Sequence, residues 1–345
     1  MTTAPTTGTG VGGATGSVRT RGLVHIYRSE GHEVAALSGV DLDVPAGGMV
    51  GLLGPSGAGK STLLNLLAGV FRPSAGKVFV GDLELSTAAD RALDRMRAEH
   101  VSLMLQGAQR NLLPYLTPHD NVRFAQGAAR RAGKDLPDPD EVLAEVGLAD
   151  HAHDALGSLT PGHLQLAALA VAMAPRPAVL LADEPTSQLD HPARDRVLAA
   201  LTDANRDLGT TVVLVTHDPD VAAFLPRTIT IRDGRVGGEG RSGEEYAVVT
   251  PDGFLPLPLH VREHLQPGTL VRFHPVEEGP GEYLLLAGDE AAGATREPAG
   301  GRVGGWVGGR PSHSAGRPAD GAVEHPSDHP PDYSARHRAG GADRG

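Results

Sequence analysis

From Val18 to about Val236, short apolar runs that end at polar loops alternate with helix-like segments, the order of an α/β domain. The runs at 48–53, 178–183 and 211–216 predict central strands, and Val101–Leu105 predicts another. Helices are expected at 61–68, 89–98, 140–147, 162–173 and 192–207, with Pro192 in the first turn of the last. Residues 245–288 break the pattern and predict a small β-rich appendage. It comprises a strand from Tyr246, a Pro251-Asp252-Gly253 turn, Phe254–Pro256, a short helix near Leu259–Leu265 and two more strands. The Thr/Gly-rich leader, 1–17, and the Gly/Pro/His-rich tail, 289–345, carry no periodic pattern and predict disorder. The tail histidines, His313, His325, His329 and His337, are too irregularly spaced to predict a metal tract.

The strand at 48–53 runs straight into Gly54-Pro55-Ser56-Gly57-Ala58-Gly59-Lys60-Ser61, the pattern G-x-x-x-x-G-K-[ST], with Thr62 following. Glycines at 54, 57 and 59 let the backbone turn with positive φ and aim N–H groups at phosphate oxygens. The helix after the loop adds the positive end of its dipole. Lys60 offers a compact charge to the β- and γ-phosphates of a nucleoside triphosphate such as ATP, and the Ser61 hydroxyl suits Mg²⁺. The chain has three lysines among 31 lysines and arginines, so one at the required position is informative. Asp183 stands at the carboxyl end of the strand 178–183, where ligands bind in open α/β sheets, and is the expected second Mg²⁺ ligand. Glu184, next along, is placed to activate a water.

Together these residues resemble the ATP-binding-cassette (ABC) ATPases over 18–240. The resemblance implies a P-loop fold of mainly parallel sheet, with an antiparallel β subdomain and a helical subdomain. Tyr27 matches the aromatic that stacks on adenine, and Gln106 the glutamine that senses Mg²⁺ and couples to the transport partner. Asp183 to Asp190 resembles the Walker B motif running into the D-loop, and His217 matches the switch histidine at the γ-phosphate. Asn111–Thr117 and Leu181–Thr186 are similar to the lipoprotein-release and macrolide-efflux class. The resemblance thus implies an ATP-hydrolysing subunit of an exporter or lipid-extracting system. It would serve an integral-membrane permease and lie in the cytoplasm on the inner face of the membrane.

One motif departs from the family. The family closes each nucleotide with Leu-Ser-Gly-Gly-Gln from the opposite subunit; here the segment is Leu159-Thr160-Pro161-Gly162-His163. Thr160 and Gly162 keep a hydroxyl and a small N–H donor. Pro161 removes a donor and His163 replaces the glutamine. Each misplaced bond to a phosphate forfeits roughly 1.5–3 kcal/mol, about one to two decades in closing affinity. The asymmetry between an intact P-loop and an altered signature favours a heterodimer with a second ABC ATPase over a homodimer. Harmless drift of the motif stays open, as does a nucleotide-dependent regulatory or scaffold subunit with weak hydrolysis.

Net charge is −11, and the tail from residue 289 is nearly balanced with 8 acidic and 7 basic residues. The acidity therefore belongs to the rest of the chain, which argues against nucleic acid as a partner. The residues 245–258 faintly resemble the swapped hairpins of bacterial transition-state regulators, and a dimerising or regulatory role is expected in preference to DNA binding. A passive extension remains the alternative. No cysteine is present, which excludes disulfides and thiolate metal sites. The longest apolar stretch, Ala167–Ala174, falls short of the roughly 20 residues of a membrane span. No cationic segment precedes an apolar one at the N-terminus, so the chain reads as cytosolic.

Overall fold

The computed structural model describes residues 16–29, 32–241 and 244–249, positions 253, 255, 257, 261, 264–265 and 269–270, and the segments 271–275 and 283–287. Two compact units divide the chain, 1–269 and 270–345. In chain order the first unit contains Val18–Ser29 (β1), His32–Val44 (β2), Met49–Leu53 (β3) and Lys60–Leu67 (α1). Ala75–Val80 (β4), Leu83–Glu84 (β5), Asp90–Glu99 (α2), Val101–Met104 (β6), Pro118–Arg131 (α3) and Pro139–Glu145 (α4) follow. Then come Pro161–Met173 (α5), Val179–Asp183 (β7), His191–Leu208 (α6), Thr211–Val215 (β8) and Pro219–Phe224 (α7). Arg227–Arg232 (β9), Arg235–Arg241 (β10) and Glu244–Ala247 (β11) end the unit's strands. Val271–Pro275 (β12) and Tyr283–Ala287 (β13) form an antiparallel pair in the second unit.

The main sheet has the order β11-β10-β9-β3-β8-β7-β6. Its strands β9, β3, β8, β7 and β6 run parallel, and β10 and β11 return antiparallel at one edge. Side chains of β7 and β8 sort by parity: Leu180, Ala182, Val212 and Leu214 join one buried cluster with α5 and α6. Val179, Leu181, Val213 and Val215 join the other, with α1 and the second sheet. Apolar residues on both faces are what a parallel strand covered on both sides requires. The second sheet, β2-β1-β4-β5, is antiparallel throughout. Five helices, α3 to α7, begin at a Thr or Asp whose side chain caps the first turn, with proline at the first or second position.

The strands and helices expected between 48 and 216 appear with ends moved by one or two residues, and β1, β2, β4, β5, β9, β10, α3 and α7 are additional. Gly16 and Ser17, expected in the leader, belong to the fold, since Ser17 accepts a hydrogen bond from Gly81 N at 2.8 Å. Tyr246, expected to open the appendage, sits in β11, which extends the main sheet through pairs from Gly238↔Ala247 to Arg241↔Glu244. A tight return onto β10 is the local way to cover that edge. Pro251, Asp252, Phe254 and most of 259–265 lie outside the described residues, as do 1–15 and 288–345.

Candidate functional site

Register places the chemistry at the carboxyl ends of the central strands of the main sheet. Leu52 of β3 and Asp183 of β7 both pair with Val215 of β8, so the loops leaving these three strands emerge side by side. Two backbone bonds fasten them: Glu184 N donates to Val215 O at 3.1 Å and Thr216 N to Leu52 O at 3.2 Å. Gln106 follows β6, which pairs in parallel with β7.

The loop 54–61 has the backbone its glycines were expected to allow. Gly54, Gly57 and Gly59 have φ of 135°, 79° and 97°. A Cβ at Gly54 would stand 2.0 Å from Ile231 O, and at Gly59 2.3 Å from Ala36 O, so strand β9 and the β2 hairpin close onto the loop. Lys60 opens α1 with its side chain folded back over the loop, donating to Gly54 O and Pro55 O at 2.8 Å each. Burial pulls its ammonium below the usual lysine range, against the attraction of Glu184 and Asp183. Burial likewise pushes the Asp183 carboxyl up, opposed by a hydrogen bond from Ser61 and by Lys60.

Glu184 is gripped from two sides. Gln106 Nε2 donates to Glu184 Oε2 at 2.7 Å, and His217 Nδ1 lies 3.0 Å from Oε1. Its backbone has φ +50°, in the left-handed region that non-glycine residues avoid, and the hydrogen bond from Ser187 N to Glu184 O closes the turn. A carboxylate held between an amide donor and an imidazole beside a phosphate-type loop is suited to take a proton from an attacking water. Asn111 holds the stretch before it, with its side chain bonding Leu105 N, Leu105 O and Gly107 O.

Tyr27 stands 42% exposed at the mouth, its hydroxyl 3.1 Å from Thr62 Oγ1. Its ring meets His25 and Phe71 edge-on at 4.8 and 6.1 Å. One cavity of about 730 Å³ is lined by Tyr27, the loop from Gly54, Gln106, Asp183, Glu184 and His217. Val34, Ala35 and Ala36 also line it and were not expected, since nothing in the β2 hairpin marks them as a site. Ser61, Asp183 and the Gln106 amide oxygen make a set of hard oxygen donors that fits Mg²⁺.

Thr160, Pro161, Gly162 and His163 do not line this cavity. They start α5, where Thr160 Oγ1 caps the helix by accepting from His163 N at 3.2 Å. The His163 ring packs 4.2 Å from that of His151, and burial, with His151 and Arg196 nearby, holds it below the usual imidazole range.

Residues 37–187 match the family model described as ABC transporter. The chain is 40% identical over 235 residues to a lipoprotein-releasing system ATP-binding protein, LolD, of Anaeromyxobacter dehalogenans, covering 67% of this chain and 98% of that one. It is 39% identical to the methionine import ATP-binding protein MetN of Streptomyces coelicolor, covering 70% of each. The macrolide export ATP-binding/permease protein MacB 2 of Aeromonas hydrophila is 35% identical, over 68% of this chain and 36% of its own length. Among solved structures, the dimeric post-hydrolysis state of the ATP-binding cassette MJ0796 bound to ADP and Pi superposes with a TM-score of 0.59. It is 29% identical and covers 65% of this chain and 98% of that one.

Proposed function

The chain belongs to the ATP-binding subunits of ABC transporters, and on that premise we propose that its cavity at the carboxyl ends of the central strands hydrolyses ATP to drive a separate membrane permease. The pinning of Glu184 between Gln106 and His217, beside the Lys60 loop, carries this reading. Lys60 exchanges its two loop carbonyls for β- and γ-phosphate oxygens, and the N–H groups of 54–62 surround the same phosphates. The adenine lies on Tyr27, which the Thr62 bond holds in place. Water attacks the γ-phosphorus in line with the β–γ bridge, that bond breaks, and Glu184 takes the water's proton. His217 and Lys60 stabilise charge on the transferring group. Bound Mg²⁺ supplies neutralisation of phosphate charge, and Ser61, Asp183 and Gln106 are the residues to hold it.

Glu184→Gln tests the assignment. It preserves size and Gln106 contact but removes the base, so ATP binding should persist while phosphate release falls by 10²–10⁴-fold. Normal hydrolysis by this variant would refute the role given to Glu184.

The altered signature favours a heterodimer, with a second ATPase supplying a complete motif to this chain's nucleotide. Pro161 brings no N–H, and the Thr160 hydroxyl already accepts from His163 N. The cargo class we favour is export or lipoprotein extraction, supported by the segments 111–117 and 181–186 and by the LolD and MacB likenesses. The MetN likeness, to an importer, supplies the competing outcome when the membrane partner is co-purified and identified. Among the described residues no helix is long and apolar enough to cross a membrane. The location we propose, from the likeness to ABC transporter subunits, is the inner membrane face, through the permease. Residues 18–240 form the ATPase domain in this reading, and the stretch after it a dimerising or regulatory appendage.

A further inference from the structure

Away from the nucleotide cavity, imidazoles and carboxylates gather where three segments of the helical region meet. His119 lies in the first turn of α3, Asp138 caps α4, and Asp140 lies in its first turn. Their donor atoms are all within 4.8 Å of one another. A fourth group comes from the segment 149–154: His153 Nε2 is 3.8 Å from Asp140 Oδ1, and its ring is 5.0 Å from that of His119. Backbone holds this convergence, since His119 N donates to Ala152 O at 2.9 Å. None of the four residues lines the ATP cavity.

We propose that His119, Asp138, Asp140 and His153 form a binding site for a divalent transition-metal ion, with Zn²⁺ as the reference case. Two nitrogens and two carboxylates suit a borderline cation, in contrast to the all-oxygen set of Ser61, Asp183 and Gln106. Bonds of about 2.0–2.2 Å in a tetrahedron put ligand atoms about 3.4 Å apart, so modest side-chain rotations close the observed spacing. Asp138 and Asp140 are exposed and free to make them; Asp138 commits one oxygen to Asp140 N at 3.0 Å and keeps the other. Among the described residues neither carboxylate is ion-paired with a lysine or arginine, while Asp120, paired with Arg123, adds a further acid 3.5 Å from His119 Nδ1. The carboxylate oxygens of Asp138 and Asp140 are therefore available to a cation. A bound ion would cross-link α3, α4 and the segment whose His151 packs on His163 of the signature.

The test is calorimetry of the full chain, stripped with chelator, titrated with Zn²⁺ alone at pH 7.5 beside H119A/H153A and D138N/D140N. The wild type should bind one equivalent more than either variant, or bind that equivalent at least tenfold tighter. Zn²⁺ should also raise the thermal midpoint of the wild type more than that of either variant. Mg-ATP binding checks that each variant is folded, and the two variants remove different ligands, so one misfolded protein leaves the other to decide. Identical stoichiometry and affinity in all three proteins would overturn the proposal and assign any binding to histidines elsewhere, such as His313, His325, His329 and His337 in the tail.

Discussion

At the scale of the residue, the site works by positions that admit one side chain only. Gly54 is the sharpest case. Its φ of 135° and the Ile231 carbonyl 2.0 Å from any added Cβ leave no room for alanine, because the obstructing atom is backbone. Gly54→Ala should weaken Mg-ATP binding more than tenfold and lower the thermal midpoint. Near-normal binding in a titration would show that the loop can open there. Tyr27 separates two contributions: the hydroxyl bond to Thr62 and the ring. Tyr27→Phe removes a bond worth about 0.5–1.5 kcal/mol, a twofold to tenfold loss in ATP affinity. Tyr27→Ala should lose more. Equal losses in the two variants, measured by calorimetry, would remove the ring from the adenine site. The P-loop, Asp183 and Glu184 were legible as residues because motif spacing encodes them. The bonds from Gln106 and His217 to Glu184 were not, because they join residues 78 and 33 positions away.

At the scale of the element, hydrophobic pattern marked the central strands buried on both faces and missed the partly exposed ones, β1, β2, β4, β5, β9 and β10. The runs Met49–Leu53, Val179–Asp183 and Thr211–Val215 are buried along almost their whole length, so burial on both faces made them visible as unbroken apolar stretches. The helix α3 was invisible for the opposite reason. Its buried face includes Asn121 and Gln126, and Phe124 points outward at 69% exposure. Asn121 bonds Leu113, Leu116 and Thr117, and Gln126 bonds Pro137, so buried polarity is satisfied by loops that no periodicity reveals. Helix starts were legible only in part, although the Thr/Asp–Pro pairing repeats at five of them. At α5 that cap falls in the segment proposed as the signature. Thr160→Ala should cost about 1 kcal/mol of stability by removing the bond to His163 N, read as a lowered denaturation midpoint. An unchanged midpoint would mean that the hydroxyl does no capping.

At the scale of the molecule, the two halves of the chemistry sit apart. One cavity at the carboxyl ends of the central strands gathers Lys60, Asp183, Glu184 and His217, while the segment 160–163 lies outside it, where the proposed heterodimer would give it another subunit's nucleotide to act on. A heterodimer makes a definite statement about the isolated chain. Phosphate release by the pure protein should be at least tenfold slower than after mixing with a second ATPase that carries a complete signature. Vigorous turnover of the chain alone, unchanged by the partner, would favour a homodimer and harmless variation at Pro161 and His163. All of this presupposes that the loop after β3 grips a triphosphate. Titration calorimetry of Mg-ATP into the wild type and Lys60→Ala addresses that presupposition directly. Saturable heat for the wild type, weakened at least tenfold in the variant, is the predicted result. No heat in either protein, or identical isotherms, would contradict the account.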